Sequence, residues 1–384
     1  MTEIQPALAT GAEATEQEKL QHIVQEALAS SDSHKMAEHA PTVAPFLCHE
    51  ESVTRDAAVS FFELCGHAAV AVADSIVKNL SLADGRFVSA CALALGHMQA
   101  NEHAAEVAKL LSSTYVDTVS IAYHAAGLEP KLPVVFRRPA CAAAFALALM
   151  GDDGAKFARD VAANFTDDLP ADARACFISA LGAMHDAESK ENVVSCLEDS
   201  SAAVRAAAAE ALGEYANSNQ SVDIAAALAA KLKDAHPSVR QASVKALGKM
   251  PIYGRAYTDD ILRLLTDRVQ SVQISAVHTM AAMGEAGQMY AKQVALLLSS
   301  DGLDVRLAAM ETLAAMGRRG GAFAEEVADL LEHESAEIRC TAVRTLASMK
   351  EDGSAFRSQL MAIAATDEVE EVREAADSAV SALH

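Results

Sequence analysis

Two adjacent histidine–glutamate pairs are the residues best suited to chemistry: His49-Glu50 in "CHEESVTRD" and His333-Glu334 in "EHESAEIRC". Imidazole and carboxylate are ligands for iron or zinc, provided that several such side chains converge on one point. Little else in the chain points to catalysis. HExxH, P-loop, GxGxxG, GxSxG and CxxC patterns are all absent. His34 and His39 are five residues apart, a poor spacing for one helix face. His97 and His103 flank a turn and read as a solvated pair. The seven cysteines are an odd number, and Cys91, Cys141, Cys176 and Cys340 sit among alanines as small buried thiols do. They are read as lacking a basic environment that would activate a thiolate. No disulfide framework is expected, which places the chain in a reducing intracellular compartment, the cytoplasm first, with an organelle left open.

Charge narrows the partners. A net charge of −22 argues against free nucleic acid, which needs a basic footprint; the Arg137-Arg138 and Arg318-Arg319 doublets are too short to supply one. The first 18 residues hold no Lys or Arg, which argues against a secretory or transit peptide. The longest apolar run, "PACAAAFALALMG" at 139–151, is too short to span a bilayer. Protein partners are therefore expected, without membrane insertion and without a cofactor.

The elements that carry these residues form a repeat. At 384 residues the chain is long for a single core, and its many alanines, 4% aromatics, nine prolines and absence of tryptophan suit packed helices. Arg174, Arg205, Arg240, Gln273, Arg306, Arg339 and Arg373 recur every 31 to 35 residues. Seven positions after each anchor stands a large apolar residue, as in Leu181, Leu212, Leu247 and Met280; the next residue is small, as in Gly182, Gly213 and Gly248. Ten positions after the anchor is often methionine, as in Met184, Met250, Met283, Met316 and Met349. Arg55, Val88 and Ala140 extend the register backwards. Each period reads as two helices, and such pairs bury their apolar stripes only by stacking. The small residue predicts close approach of neighbouring helices, and the methionine predicts a core filler.

The pattern D-x-x-x-x-V-R-x-A-A-x-x-A-L-G, clearest in "DSSAAVRAAAAEALG" (199–213) and "DAHPSVRQASVKALG" (234–248), resembles HEAT repeats, in particular the short subclass named after phycobilin lyases. The resemblance covers about residues 33–384 and implies an all-α right-handed superhelix, an α-solenoid of about ten or eleven helix pairs. A tail over 1–16 would precede a solenoid over 17–384, made of a capping helix (17–32), N-terminal repeats (33–113), an irregular segment (114–138) and regular repeats (139–384). The gap from Val88 to Ala140 reads as a truncated repeat, with a plain insertion as the alternative.

In HEAT repeats an aspartate commonly occupies the turn before the second helix, and the anchor arginine contacts the neighbouring turn. Here the position six before the anchor holds Asp168, Asp199, Asp234, Asp267 and Asp367, but His49 and His333 in two repeats. Both histidines thus read as turn residues. Deoxyhypusine hydroxylases, which resemble this chain, bind two irons through His-Glu pairs directly after the anchor. The equivalent positions here are Asp56-Ala57, Gln241-Ala242, Leu307-Ala308 and Glu374-Ala375, for example, so no metal ligands or catalytic residues are assigned.

The expected function is a non-catalytic interaction scaffold or a structural subunit of a larger assembly. A bilin lyase-like enzyme or a diverged metal-dependent hydroxylase is the alternative. Two partner surfaces follow from the register. One is the second-helix stripe at anchor plus one and plus five, with Ile274 and Leu307 among Lys245, His278, Glu311 and Arg344. The other is an edge of inter-repeat loops bearing Tyr253, Arg255, Tyr257, Tyr290, Arg318 and Arg319. The irregular segment 114–138 is a third place to look.

Overall fold

The computed structural model describes residues 20, 23, 32–115, 133–186, 188–215 and 222–383. These residues form helices and turns, and no strand is present among them. The expected tail over 1–16 lies outside them, as does the capping helix over 17–32 apart from Leu20, Ile23 and Asp32. The chain falls into two compact units, Met1–Ser189 and Lys190–His384.

Among the described residues, ten second helices carry the anchors. In the first unit they are α1 (Ser52–Cys65), α2 (Gly85–His97), α3 (Pro139–Leu149) and α4 (Ala171–Ala183). In the second they are α5 (Ala202–Tyr215), α6 (Pro237–Gly248), α7 (Gln270–Ala282), α8 (Leu303–Ala315), α9 (Ala336–Ser348) and α10 (Glu370–Ala382). Within each unit consecutive second helices pack side by side. The first helices between them are broken into short α and 3₁₀ pieces, such as Ala324–Ala328 with Asp329–Glu332. Each unit is an α-solenoid of stacked helix pairs.

The small residue at plus eight does what its size predicts. A Cβ on Gly213 would lie 3.0 Å from the Ala246 Cα, and one on Gly96 would lie 2.6 Å from the Ala146 Cα. The plus-ten methionines fill the core: Met98, Met150, Met250, Met283 and Met316 are at most 3% exposed. The 30-residue stretch Ser52–Ser81 is apolar enough, with mean hydropathy 1.3, to pass for a membrane span. The chain turns within it at Gly66, where φ is +53°, so α1 and the next first helix are separate elements of one stack.

The 52-residue gap from Val88 to Ala140 falls between α2 and α3. The first helix made of Ala104–Ala108 and Lys109–Ser112 packs on α3, and α2 packs directly on α3, with no further second helix between them among the described residues. Of the segment 114–138, residues 116–132 lie outside the described residues.

Candidate partner-binding surface

The turns before the second helices are held by a ladder of arginine rungs. Arg205, Arg240 and Arg339 each donate Nη1 to the two carbonyl oxygens that open their own turn; for Arg240 these are Asp234 O at 2.9 Å and Ala235 O at 3.2 Å. Their Nε and Nη2 fork onto the aspartate of the next turn: Arg205 on Asp234 (2.8 and 2.9 Å), Arg240 on Asp267 (2.8 and 2.7 Å) and Arg339 on Asp367 (2.8 and 2.9 Å). Each aspartate also accepts the N–H two residues on, closing its turn. The guanidinium hydrogen bonds hold the Asp234 and Asp367 carboxyls below the usual carboxylate range. For Asp267 burial pushes upward, but Arg240 and the Val269 N–H together bring the carboxyl below that range.

The histidines of the two His-Glu pairs occupy this aspartate position. His49 Nδ1 accepts from Glu51 N at 3.1 Å, and His333 Nδ1 accepts from Ser335 N at 3.0 Å, the same bond to the second residue on. His333 Nε2 lies 3.0 Å from Arg306 Nη1, so the ring stands where the aspartate would meet the ladder arginine. Glu50 reaches Arg86 at 3.3 Å and Glu334 is exposed. Among the described residues no three His, Cys, Asp or Glu side chains gather to hold a metal ion.

All seven cysteines remain thiols. Burial raises Cys65 to about 11. Cys48 departs from the inert thiols expected of the sequence: the hydrogen bond with Cys91, whose Sγ is 4.0 Å away, together with the Arg55 charge, lowers its pKa. Arg55 is seven residues away along the chain, and only the fold makes it a neighbour of Cys48.

The predicted surface residues all fall in the second unit, and the two stripes differ. Lys245, His278, Glu311 and Arg344 are exposed on successive second helices. Ile274 and Leu307 are half-buried, which corrects the expectation that plus one and plus five share an open face. The reason is the stacking: each second helix has a second helix on both sides, so plus one turns toward a neighbour, as Gln241 does in donating to Ser275 Oγ at 3.2 Å. Arg344 borders a groove of about 530 Å³ between α9 and α10, with Glu371 and Glu374 beside it and Ala347, Ala375 and Ala379 as its floor.

The edge read as inter-repeat loops is helical instead. Tyr253 lies in Pro251–Gly254, Arg255 and Tyr257 in Arg255–Tyr257, and Arg318 and Arg319 in Arg318–Gly321, the opening turns of first helices. Arg255, Arg318 and Arg319 are exposed; Tyr253, Tyr257 and Tyr290 are half-buried, and the Tyr290 hydroxyl donates to Asp259. Phe323 and Phe356 share the register of Tyr257 and Tyr290, seventeen after the anchor, and are half-buried too. They were missed because phenylalanine reads as core, although the recurring offset was visible. Ile252 (57% exposed), Met289 (68%) and Leu296 (68%) were missed as well. Their apolar type suggests burial, and only the packing shows them outward.

A family model described as HEAT repeats matches residues 159–231 and 291–381. No curated protein sequence matches the chain. Yeast importin-beta (Kap95p) is similar in structure, with a TM-score of 0.62 and 13% identity over 95% of this chain and 54% of that one. A Kap121p mutant gives 0.56 and 12% over 99% and 46%. The complex of CpcE and CpcF of phycocyanin lyase from Nostoc gives 0.37 and 18% over 80% and 94%, too distant to carry an inference. At these identities the likeness is one of fold. The matched segments include the Arg205 and Arg339 anchors, the latter with its Asp367 rung, so residues 159–231 and 291–381 match HEAT repeats, and the likeness to the importin structures is one of α-solenoid fold.

Proposed function

We propose that this protein is a non-catalytic interaction scaffold or structural subunit that binds a protein partner through its second unit. The observation that carries the reading is the apolar surface at the first helices there. Ile252, Met289 and Leu296 stand more than half exposed, although the core positions of their repeats are already filled. Tyr253, Tyr257 and Tyr290 lie half-buried in the same first-helix segments, and Arg255, Arg318 and Arg319 line their opening turns. Tyrosine, arginine and exposed apolar side chains are the groups that interfaces use. The second-helix stripe of Lys245, His278, Glu311 and Arg344, with Ile274 and Leu307 beside it, is the other face a partner would read.

The unbridged thiols favour an intracellular, reducing setting, with the cytoplasm as its simplest form. Two variants test the assignment: Tyr253→Ala with Arg255→Ala and Arg318→Ala, and Ile274→Glu with Leu307→Glu. A partner captured by the native chain should lose at least about thirtyfold in affinity for one of them, the cost of truncating a hot spot. Full retention by both would overturn the second-unit assignment. Stoichiometric iron, zinc or bound bilin in native protein would overturn the non-catalytic one.

A further inference from the structure

The irregular segment of the first unit is seated, over its described residues, on the unit's own second helices. Its described end, the 3₁₀ turn Val134–Arg137, contacts α2, α3 and α4 in turn. The Phe136 ring lies 4.7 Å from Phe145 of α3, and Phe145 packs edge-on at 5.9 Å against His97 of α2. Burial in this apolar setting lowers the His97 pKa. Pro133, Phe136 and Arg137 line a small cavity of about 30 Å³ with Asp56, Ser89 and Leu93 on the facing helices.

The composition of the stripe beneath residues 133–138 matches this cover. Leu93 and Phe145 stand at anchor plus five. In the second unit the same position holds Glu210, Lys245, His278, Glu311, Arg344 and Ser378, and every one is exposed. Leu93 is 2% exposed and Phe145 half-buried. The first unit has thus replaced polar stripe residues with apolar ones where the segment crosses.

We propose that the second-helix face of the first unit is a peptide-binding groove, occupied in cis by residues 133–138, and that its partner is a protein segment of the same chemistry: proline and branched apolar residues leading to a phenylalanine followed by arginine. The seated segment supplies the template, with Phe136 over Phe145 as the anchor. This groove is independent of the surface on the second unit, and either could fail without the other.

A tether competes at an effective concentration of about millimolar, so a peptide in trans binds the native chain weakly. The chain contains no tryptophan, so Phe136→Trp creates a single reporter. Its emission should be blue-shifted. The free peptide Pro-Val-Val-Phe-Arg-Arg-Pro should move it toward the solvent value, with half-displacement near ~1 mM. The same peptide with serine in place of phenylalanine should leave it unchanged. Leu93→Glu in that background, shown by circular dichroism to be folded, should give solvent-like emission from the start. In a second measurement, fluorescein-labelled peptide should bind the Phe136→Ala chain at least about tenfold more tightly than the native chain, since the competing tether has lost its anchor. Emission that does not respond to either peptide, or equal or absent binding to the two chains, would overturn the proposal.

Discussion

His333 shows how one side chain weakens a rung. A neutral imidazole has a single acceptor nitrogen, so it serves either the Ser335 N–H or the Arg306 guanidinium, not both. Arg306 Nε is left buried without an acceptor. Aspartate satisfies both donors at once in the turns of Asp234, Asp267 and Asp367. His333→Asp should therefore stabilise the chain by about 1 kcal/mol, read as a higher urea midpoint at unchanged slope. The Arg339–Asp367 rung predicts the opposite response. Its side chains are 8% and 7% exposed, so Asp367→Asn leaves a largely buried guanidinium unpaired and should cost about 3 kcal/mol at neutral pH. The folded carboxyl lies below its unfolded value. Its stabilisation is thus complete above about pH 4 and lost as the pH falls through the folded value. Between pH 7 and pH 3 the native chain should lose more stability than Asp367→Asn; equal losses would show that the rung does not titrate with folding.

Elements join through two features of the backbone. A glycine stands fourteen after the anchor in five repeats, where the next first helix crosses the end of the second helix. A Cβ on Gly287 would lie 1.8 Å from the Met280 carbonyl oxygen, which belongs to a packed helix and cannot withdraw. Gly287→Ala should cost about 3 kcal/mol in a urea melt. The turn three residues earlier takes positive φ in most of these repeats, as at Gly151, Gly284 and Gly317. Lys350 adopts it at +51° with ψ −110°, a region costly to any side chain. Lys350→Gly should gain about 1 kcal/mol, the reverse of the usual effect of adding glycine. The period itself was legible because each helix repeats its apolar offsets. The glycine contact was not, because it joins backbone to backbone and leaves no apolar signature.

At the scale of the whole molecule, the proposed partner surfaces divide by what covers them. In the second unit the plus-five stripe and the outward Met289 and Leu296 remain open to solvent. Introducing charge there, as in Met289→Glu with Leu296→Glu, should leave the unfolding midpoint within about 0.5 kcal/mol of native while weakening capture of the partner. Loss of stability instead would mean that these residues serve the core. The sequence by itself determined the helix pairs, the anchor register, the arginine–aspartate ladder and the role of His49 and His333 as turn residues. All of these recur at fixed offsets, and each is satisfied within a turn or by the adjoining repeat. Only the tertiary structure decided that Ile274 and Leu307 turn inward, that Met289 points outward, that Cys48 meets Cys91, and that residues 133–138 cross the first unit's second helices. Side-by-side stacking rotates each helix against its neighbours, and a segment outside the period is placed by the surface it finds, which no offset encodes.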